Sequence, residues 1–316
     1  MPDSKKIATR DSYGAALVKL GEQEPNLVVL DADLASATKT IGFKKAFPDR
    51  FFDCGIAECN MMSIAAGLTA AGKKVFASTF AMFAAGRAFE QVRNSIGYTH
   101  LPVNIGATHG GLSVGEDGAT HQCNEDVALM RTIPGMTVIV PGDDTEARQA
   151  VFAAAAWDGP VYLRFGRLAV PVLFDENEYH FTIGKGVQMT EGNDVTIVAN
   201  GLMVAEALAA AEQLKNEGIA ARVINMATVK PLDKELILAA ARETGAVVTA
   251  EEHNILGGLG GAVAEAVSEA YPVPVLRVGV EDVFGKSGPA AEILKLFGLT
   301  AEHIVEKAKV AVGMKK

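Results

Sequence analysis

Short apolar runs and longer amphipathic segments alternate along most of the chain. Runs rich in Val, Ile and Leu predict buried strands, and the longer mixed segments between them predict helices. In the first half the predicted strands are residues 26–31, 74–77, 102–107, 136–140 and 161–164, and the predicted helices are 60–71, 83–97, 124–131 and 144–155. Because strands separated by long helices are joined by right-handed crossovers, this pattern predicts a parallel sheet.

The alternation is interrupted once and then resumes. Residues 173–193 carry mixed charge and several glycines, and we interpret them as a linker. Beyond them the predicted strands are 195–199, 221–225, 246–250 and 275–278, and the predicted helices are 203–217, 234–243 and 262–270, followed by two terminal helices. The sequence therefore predicts an α/β protein with two domains, residues 1–172 and 194–316, each built on a parallel or mixed sheet.

Composition narrows the class of protein. The 316 residues are 49% hydrophobic and 21% charged, with a net charge of −9 and no Lys/Arg block longer than a pair, so we expect no nucleic-acid partner. The longest apolar stretches are far shorter than the roughly 20 residues of a membrane helix, and the N-terminus has no signal-peptide pattern. Three cysteines are too few for a disulfide framework, which favours a reducing compartment. We expect a cytoplasmic protein without a membrane partner.

Ligands of open parallel sheets bind beyond the carboxyl ends of the strands, where this chain places several acids. Asp31 and Asp33 leave the end of one predicted strand together, and Glu58 stands at the start of a predicted helix. Ordinary turn and capping roles would explain all three residues equally well. Phe80 and Phe83, three residues apart at the opening of another helix, are similarly typical of a core.

The segment after the strand at 102–107 gives a stronger signal. Residues 108–122 read THGGLSVGEDGATHQ, and connections longer than about 12 residues in such folds are usually functional or disordered. The segment contains two histidines, His109 and His121, and histidine side chains can in general move protons near neutral pH or bind anions when charged. A metal site is an alternative interpretation, but no C-x-x-C or H-x-x-x-H spacing supports one, and none is predicted. The candidate ligands for such a site are Cys54, Cys59, His109, His121 and Cys123.

A glycine-rich turn in the second half gives only a weak signal. GGLGG at residues 257–261 precedes a helix, but Val263 occupies the third glycine position of the dinucleotide fingerprint. Close helix–strand packing explains these glycines equally well.

Seven segments of the chain resemble the transketolase family. VKPLD and EEHNILGGLGG resemble its C-terminal domain, and the other five follow the order of its pyrimidine-binding domain. The segments are LDADL at 30–34, GIAE at 55–58, ASTFAMF at 77–83, RAFEQVR at 87–93, ATHGGLSVGEDGATHQ at 107–122, VKPLD at 229–233 and EEHNILGGLGG at 251–261. The family's diphosphate-binding domain has no counterpart here. The resemblance therefore implies the C-terminal subunit of a split transketolase, paired with an N-terminal subunit in an α2β2 assembly.

The resemblance also implies the residues of a thiamine diphosphate site. Glu58 matches the glutamate that hydrogen-bonds the aminopyrimidine ring and is the first catalytic candidate. Phe80 and Phe83 match the aromatic wall around that ring, and Asp33 matches an aspartate near the thiazolium ring. The diphosphate and its Mg2+ or Ca2+ would be held by the partner subunit.

The sugar phosphate site is implied in the same way. Arg10, Arg164 and His109 match residues that contact the substrate phosphate. Asp117 matches the residue that selects hydroxyl stereochemistry, and His121, the second catalytic candidate, matches a histidine close to the reacting carbonyl.

Departures from the family pattern concern substrate preference. Ala57 and Cys59 flank the glutamate where many transketolases have Arg and His, and Ala37, next to Ser36, replaces a phosphate-contacting serine. One residue is inserted near Gly86, where the family often has a further aromatic.

The activity implied is transfer of a two-carbon ketol unit from a ketose phosphate to an aldose phosphate, as in the pentose phosphate pathway. Two enzyme alternatives are the β subunit of a 2-oxo acid dehydrogenase-type decarboxylase and a 1-deoxyxylulose-5-phosphate synthase-like enzyme. A third alternative is a catalytically silent, regulatory transketolase-like subunit.

Overall fold

The computed structural model describes residues 5–315, and their first half forms a layered α/β unit. Its strands are β1 (Lys6–Ala8), β2 (Leu27–Asp31), β3 (Phe51–Asp53), β4 (Lys74–Phe80), β5 (Val103–Thr108), β6 (Thr137–Ile139), β7 (Val161–Arg164) and β8 (Ala169–Pro171). Its helices are α1 (Thr9–Gln23), α2 (Ala35–Thr38), α3 (Ile41–Ala46), α4 (Glu58–Ala70), α5 (Phe89–Gln91), α6 (Asp126–Thr132) and α7 (Asp144–Ala156). None of the helices within residues 5–315 is both long and apolar enough to cross a membrane.

The second half repeats the alternation. Its strands are β9 (Val187–Thr190), β10 (Val195–Ala199), β11 (Ala221–Asn225), β12 (Thr228–Lys230), β13 (Val247–Asn254) and β14 (Val275–Val280). Its helices are α8 (Met203–Asn216), α9 (Lys234–Thr244), α10 (Leu259–Ala270), α11 (Ala290–Leu296) and α12 (Ala301–Gly313). The sheet order here is β14-β13-β10-β11-β9, parallel except for the edge strand β9. β9 lies inside the segment interpreted as a linker.

The larger sheet has seven strands in the order β12-β6-β7-β5-β4-β2-β3. All neighbours are parallel except β12, which comes from the second half of the chain and pairs antiparallel with β6. One buried apolar cluster also crosses between the halves and includes Met130 and Val138 from the first and Met226 and Val229 from the second. The two halves therefore share both a sheet and a core.

The α/β fold class predicted from the pattern is confirmed, with one helix of unexpected form. The helix predicted at 83–97 is divided into wide i→i+5 turns at Phe83–Arg87 and Val92–Gly97, on either side of the short α5. In the first turn the amide of Ala88 donates to the carbonyl of Phe83 at 3.1 Å. Such π turns accommodate one extra residue in a helix and often occur at functional sites.

Candidate active site

Four neighbouring parallel strands end on the same edge of the larger sheet. Their last residues are Asp31 of β2, Phe80 of β4, Thr108 of β5 and Arg164 of β7. Phe80 is in register with Thr108, so the residue that follows β5, His109, emerges beside Phe80. This edge is where an open α/β sheet binds its ligands.

Glu58 is the first residue of α4, and its carboxylate is held by a residue that the sequence did not single out. Glu58 is 1% exposed, whereas the Arg87 side chain is half-exposed. Nη1 of Arg87 donates to both carboxylate oxygens, at 2.8 and 2.7 Å. The Arg87 guanidinium also lies 4.3 Å from the centre of the Phe83 ring. Arg87 thus supplies the counter-charge of a buried carboxylate, which would be costly to bury alone.

Two aromatic rings and two imidazoles form a continuous stack next to this ion pair. The Phe80 and Phe83 rings are nearly parallel, with centroids 5.7 Å apart. His109 stacks on Phe80 at 3.8 Å, and His121 meets Phe83 edge-on at 5.4 Å. The structure therefore brings both loop histidines against the phenylalanine pair.

His109 is buried, and its hydrogen bonds define its tautomer. Nη1 of Arg10 donates to Nε2 at 2.9 Å, and since arginine has no acceptor, Nε2 must be unprotonated. Nδ1 then carries the proton and donates to Oγ1 of Thr108 at 2.8 Å. Burial and the positive charges of Arg10 and Arg167 lower the pKa of His109 to about 3. His109 is therefore neutral at pH 7 and offers no charge to a phosphate.

Arg167 joins the same group from the chain beyond β7. Its Nη1 donates to the carbonyl of Val114 and lies 3.6 Å from Glu116 and 3.7 Å from Asp117. The Asp117 side chain is 43% exposed, and Arg167 is half-buried. Arg10 and Arg167 are the two positive charges that lower the pKa of His109 most.

Arg164, by contrast, is buried in the protein interior, with 5% of its surface exposed. Its Nε donates to Oδ2 of Asp126 at 2.8 Å, and its Nη2 donates to the carbonyl of Cys123 at 3.0 Å. Burial acts to lower the pKa of Arg164, but the carboxylates of Asp126 and Glu252 outweigh burial and raise it. Arg167, three residues further along the chain, lies beside Asp117, whereas the hydrogen bonds of Arg164 go to Asp126 and Cys123.

The two aspartates at the end of β2 have different environments. Asp31 is fully buried and accepts hydrogen bonds from the Leu34 amide and from the hydroxyls of Thr38 and Thr40. Burial raises its pKa to about 6. Asp33 is exposed, with φ of +62°, and its amide donates to the carboxylate of Asp53 at 3.1 Å. Asp31 therefore shapes the turn, and Asp33 presents a free carboxylate at the strand ends.

The cysteines contribute no metal-binding cluster to this edge. In residues 5–315 no three His, Cys, Asp or Glu side chains lie close enough together to hold a metal ion, and the three thiols are free. Cys59, next to Glu58, places its Sγ 3.3 Å from the carbonyl oxygen of Arg87.

Comparison with known proteins assigns both halves of the chain. The transketolase pyrimidine-binding domain family matches residues 5–172, and the transketolase C-terminal domain family matches residues 184–304. A putative transketolase C-terminal section from Methanocaldococcus jannaschii is 50% identical over 94% of each chain. A 6-deoxy-6-sulfo-D-fructose transketolase subunit from Clostridium sp. is 46% identical over 95% of this chain and 92% of the relative.

A solved structure agrees with these relatives. It is described as a split-gene transketolase in an inactive β4 tetramer and has a TM-score of 0.91 and 54% sequence identity. The match covers 99% of this chain and 100% of the other. Two family matches that together span most of the chain, with relatives of this identity, establish that the chain belongs to the transketolase family.

Proposed function

We propose that this chain is the C-terminal subunit of a split transketolase that transfers a two-carbon ketol unit from a ketose phosphate to an aldose phosphate. The observation that carries the proposal is the position of two arginines near the buried Glu58 carboxylate and the Phe83 ring. Arg10 contacts His109, and Arg167 contacts Asp117. A catalytic carboxylate and a site for a terminal anion thus lie at one edge of one sheet.

The residues present fit the pyrimidine half of thiamine diphosphate, the cofactor that family membership implies. Within residues 5–315, Glu58 receives side-chain hydrogen bonds from one nitrogen of Arg87 only. A carboxylate has about four lone-pair positions, so acceptor capacity remains for an aminopyrimidine. Phe80 and Phe83 offer flat apolar surface to the same ring. When bound, the cofactor supplies an electron sink for breaking a carbon–carbon bond next to a carbonyl.

The remaining side chains bind the sugar phosphate and act on its carbonyl. Arg10 and Arg167 bind the terminal phosphate, since guanidinium forks match its oxygens. His109, neutral and donating from Nδ1 to Thr108, orients Arg10 through its Nε2. Asp117 selects the hydroxyl configuration of the sugar. His121, next to Phe83, holds or passes a proton at the reacting carbonyl.

An N-terminal subunit completes the site in our proposal. It would bring the diphosphate site with its Mg2+ or Ca2+ ligands, in an α2β2 assembly. The relative named a C-terminal section and the solved split-gene β tetramer, described as inactive, support this division.

A substrate panel with the complete complex tests the proposal. The co-purified complex is assayed with ribose 5-phosphate as acceptor and xylulose 5-phosphate, 6-deoxy-6-sulfo-fructose or pyruvate as donor. Ketol transfer from a sugar donor supports the proposal, and the two sugars separate a phosphate from a sulfonate as the terminal anion. Turnover of pyruvate alone would instead indicate one of the two pyruvate-using alternatives.

The variant Glu58→Gln tests the role of the carboxylate in the same assay. It keeps the shape of the side chain and removes its charge, and we expect turnover to fall about a hundredfold or more. Glu90→Gln, an exposed glutamate on α5, is the matched control and should leave turnover unchanged. Unaltered turnover in Glu58→Gln would favour the silent-subunit alternative.

A further inference from the structure

The loop that carries Asp117 and His121 contacts the second half of the chain as well as its own domain. Its Gly115 and Gly118 have φ of +79° and +76°, a region that favours glycine. A Cβ on Gly115 would lie 3.2 Å from the carbonyl oxygen of Gly288, and one on Gly118 would overlap the Ser287 hydroxyl. Residues 285–288, between β14 and α11, are therefore in direct contact with the turns of the loop.

Gln122 connects these two segments. It is 3% exposed, and its side-chain Nε2 lies within hydrogen-bond distance of three carbonyl oxygens, which share its two N–H donors. Two belong to the loop, Leu112 and Gly115 at 3.2 Å each, and the third is that of Lys286 at 2.9 Å. One buried amide group thus joins both turns of the loop to the second half of the chain.

The turn around Gln122 is a compact unit that includes His121. The carbonyl of Gly118 accepts hydrogen bonds from the amides of both His121 and Gln122, each at 3.0 Å. A displacement of Gln122 would therefore shift the backbone of His121. Because Gln122 also contacts the carbonyl of Gly115, the displacement would also shift the turn that leads to Asp117.

A second contact fixes the start of the loop. Glu252, at 5% exposure, accepts a hydrogen bond from the Ser113 amide at 2.5 Å. Glu252 lies on β13, so both the beginning and the end of the loop are attached to the second half of the chain.

We propose that the C-terminal domain holds the active-site loop in its working conformation, and that Gln122 is the positioning residue through which segment 285–288 does so. In this proposal Gln122 acts through His121 and Asp117. The catalytic consequence rests on the proposed function, whereas the ordering of the loop does not.

Two variants test the contact from its two sides in the complete complex with the N-terminal subunit. Gln122→Met keeps the size of the side chain and removes the donated hydrogen bonds. Gly285→Ala acts from the second half alone, because its Cβ would overlap Oε1 of Gln122. The matched control is Gln149→Met, since Gln149 donates to the Tyr179 carbonyl and accepts from the Phe181 amide away from the loop.

Amide hydrogen exchange of residues 110–122 is the primary readout, with kcat, KM and thiamine diphosphate affinity measured on the same samples. We expect both variants to exchange about tenfold faster in this segment, because exchange follows local opening. We expect kcat/KM for the sugar donor to fall about tenfold, since small displacements of catalytic groups are costly. Cofactor affinity should change less than about twofold, because neither substitution alters Glu58, Phe80 or Phe83, which lie outside the loop. The control should change none of these.

Unchanged exchange in both variants, or equal effects in Gln149→Met, would overturn the inference. If the wild-type complex shows no ketol transfer, the proposed function fails, and the exchange measurement still decides whether the C-terminal domain orders the loop.

Discussion

At the scale of single residues, three arginines near the site have three different environments. Arg10 bonds a neutral histidine, Arg167 stands half-buried beside Asp117, and Arg164 is buried against Asp126. Sequence spacing alone could not separate Arg164 from Arg167, since Arg164 ends β7 and Arg167 follows three residues later. We therefore propose Arg167, and not the buried Arg164, as the second arginine that meets an anion.

Substitutions of these arginines by methionine should therefore have different effects. Arg167→Met and Arg10→Met should raise KM for a phosphorylated donor about tenfold or more, because each removes a charge-assisted contact. With hydroxypyruvate, a donor that has no phosphate, KM should stay near the wild-type value. Arg164→Met should instead lower the free energy of unfolding by about 3–5 kcal/mol, since it leaves the buried Asp126 carboxylate without its counter-charge, with the Tyr162 hydroxyl still donating to it. If the Arg164→Met variant is stable and its KM rises only for phosphorylated donors, Arg164 rather than Arg167 binds the phosphate.

The pH dependence of stability should report the neutral state of His109. Its pKa is about 3 in the folded chain and near 6.5 when unfolded, so below pH 6.5 only the unfolded state takes up this proton. The contribution of His109 to the free energy of unfolding is fully present above pH 6.5. It decreases as the pH falls, by up to about 1.4 kcal/mol per pH unit.

The comparison variant for this measurement is His109→Asn, because asparagine tolerates the φ of +59° at this position. Urea unfolding between pH 4.5 and 7.5 should show the stability of wild type falling more steeply than that of the variant. Asp31, Glu146 and Glu252 have pKa values raised to between about 6 and about 7 by burial, but they are present in both proteins and cancel in the difference. Parallel curves would contradict a neutral, buried His109.

At the scale of elements, the π turn at Phe83–Arg87 determines which side chains reach Glu58. The i→i+5 turn is the local structure that would accommodate one inserted residue, which the family resemblance implies near Gly86. The turn brings Arg87 over the Phe83 ring and onto the carboxylate. The resemblance implied an insertion, but the sequence did not predict the direction of Arg87, because an ideal helical period gives no direction for a residue beyond a wide turn.

Deletion of Gly86 tests this relation. A regular helix would rotate Arg87 by about 100°, the angle per residue of a 3.6-residue turn, and remove it from Glu58. We expect the deletion and Arg87→Met to lower turnover of the complex by similar factors, and Gly67→Ala, where a Cβ meets nothing within 4 Å, to serve as control. A deletion variant with wild-type turnover would show that the π turn has no role in the site.

Other elements show what a hydrophobic pattern can and cannot predict. The central strands β2, β5, β7, β10 and β11 were predicted within a residue or two, because they are buried on both faces and read as apolar runs. α1 was missed because its buried face contains Thr9, Ser12, Gly14 and Gly21, which weaken the apolar period. β12 has three residues, too few for a pattern, and its place in the other sheet depends on tertiary packing.

At the scale of the whole molecule, the second half of the chain contributes to the structure around the candidate active site. It supplies β12 to the larger sheet, apolar residues to a common core, and Glu252 and segment 285–288 to the active-site loop. The family resemblance predicted the site residues around Glu58, but not this dependence, since none of the contacts is a motif. The domain boundaries at 172 and 194 remain a prediction.

The central claim is that this chain completes a transketolase site only together with an N-terminal subunit. The most direct test is to titrate the purified chain with that subunit at saturating thiamine diphosphate and Mg2+, and to measure ketol transfer from xylulose 5-phosphate to ribose 5-phosphate. We predict no measurable turnover by the chain alone and a rise that saturates at one partner subunit per chain. Full turnover by the isolated chain, or none at any ratio with any sugar donor, would contradict the account.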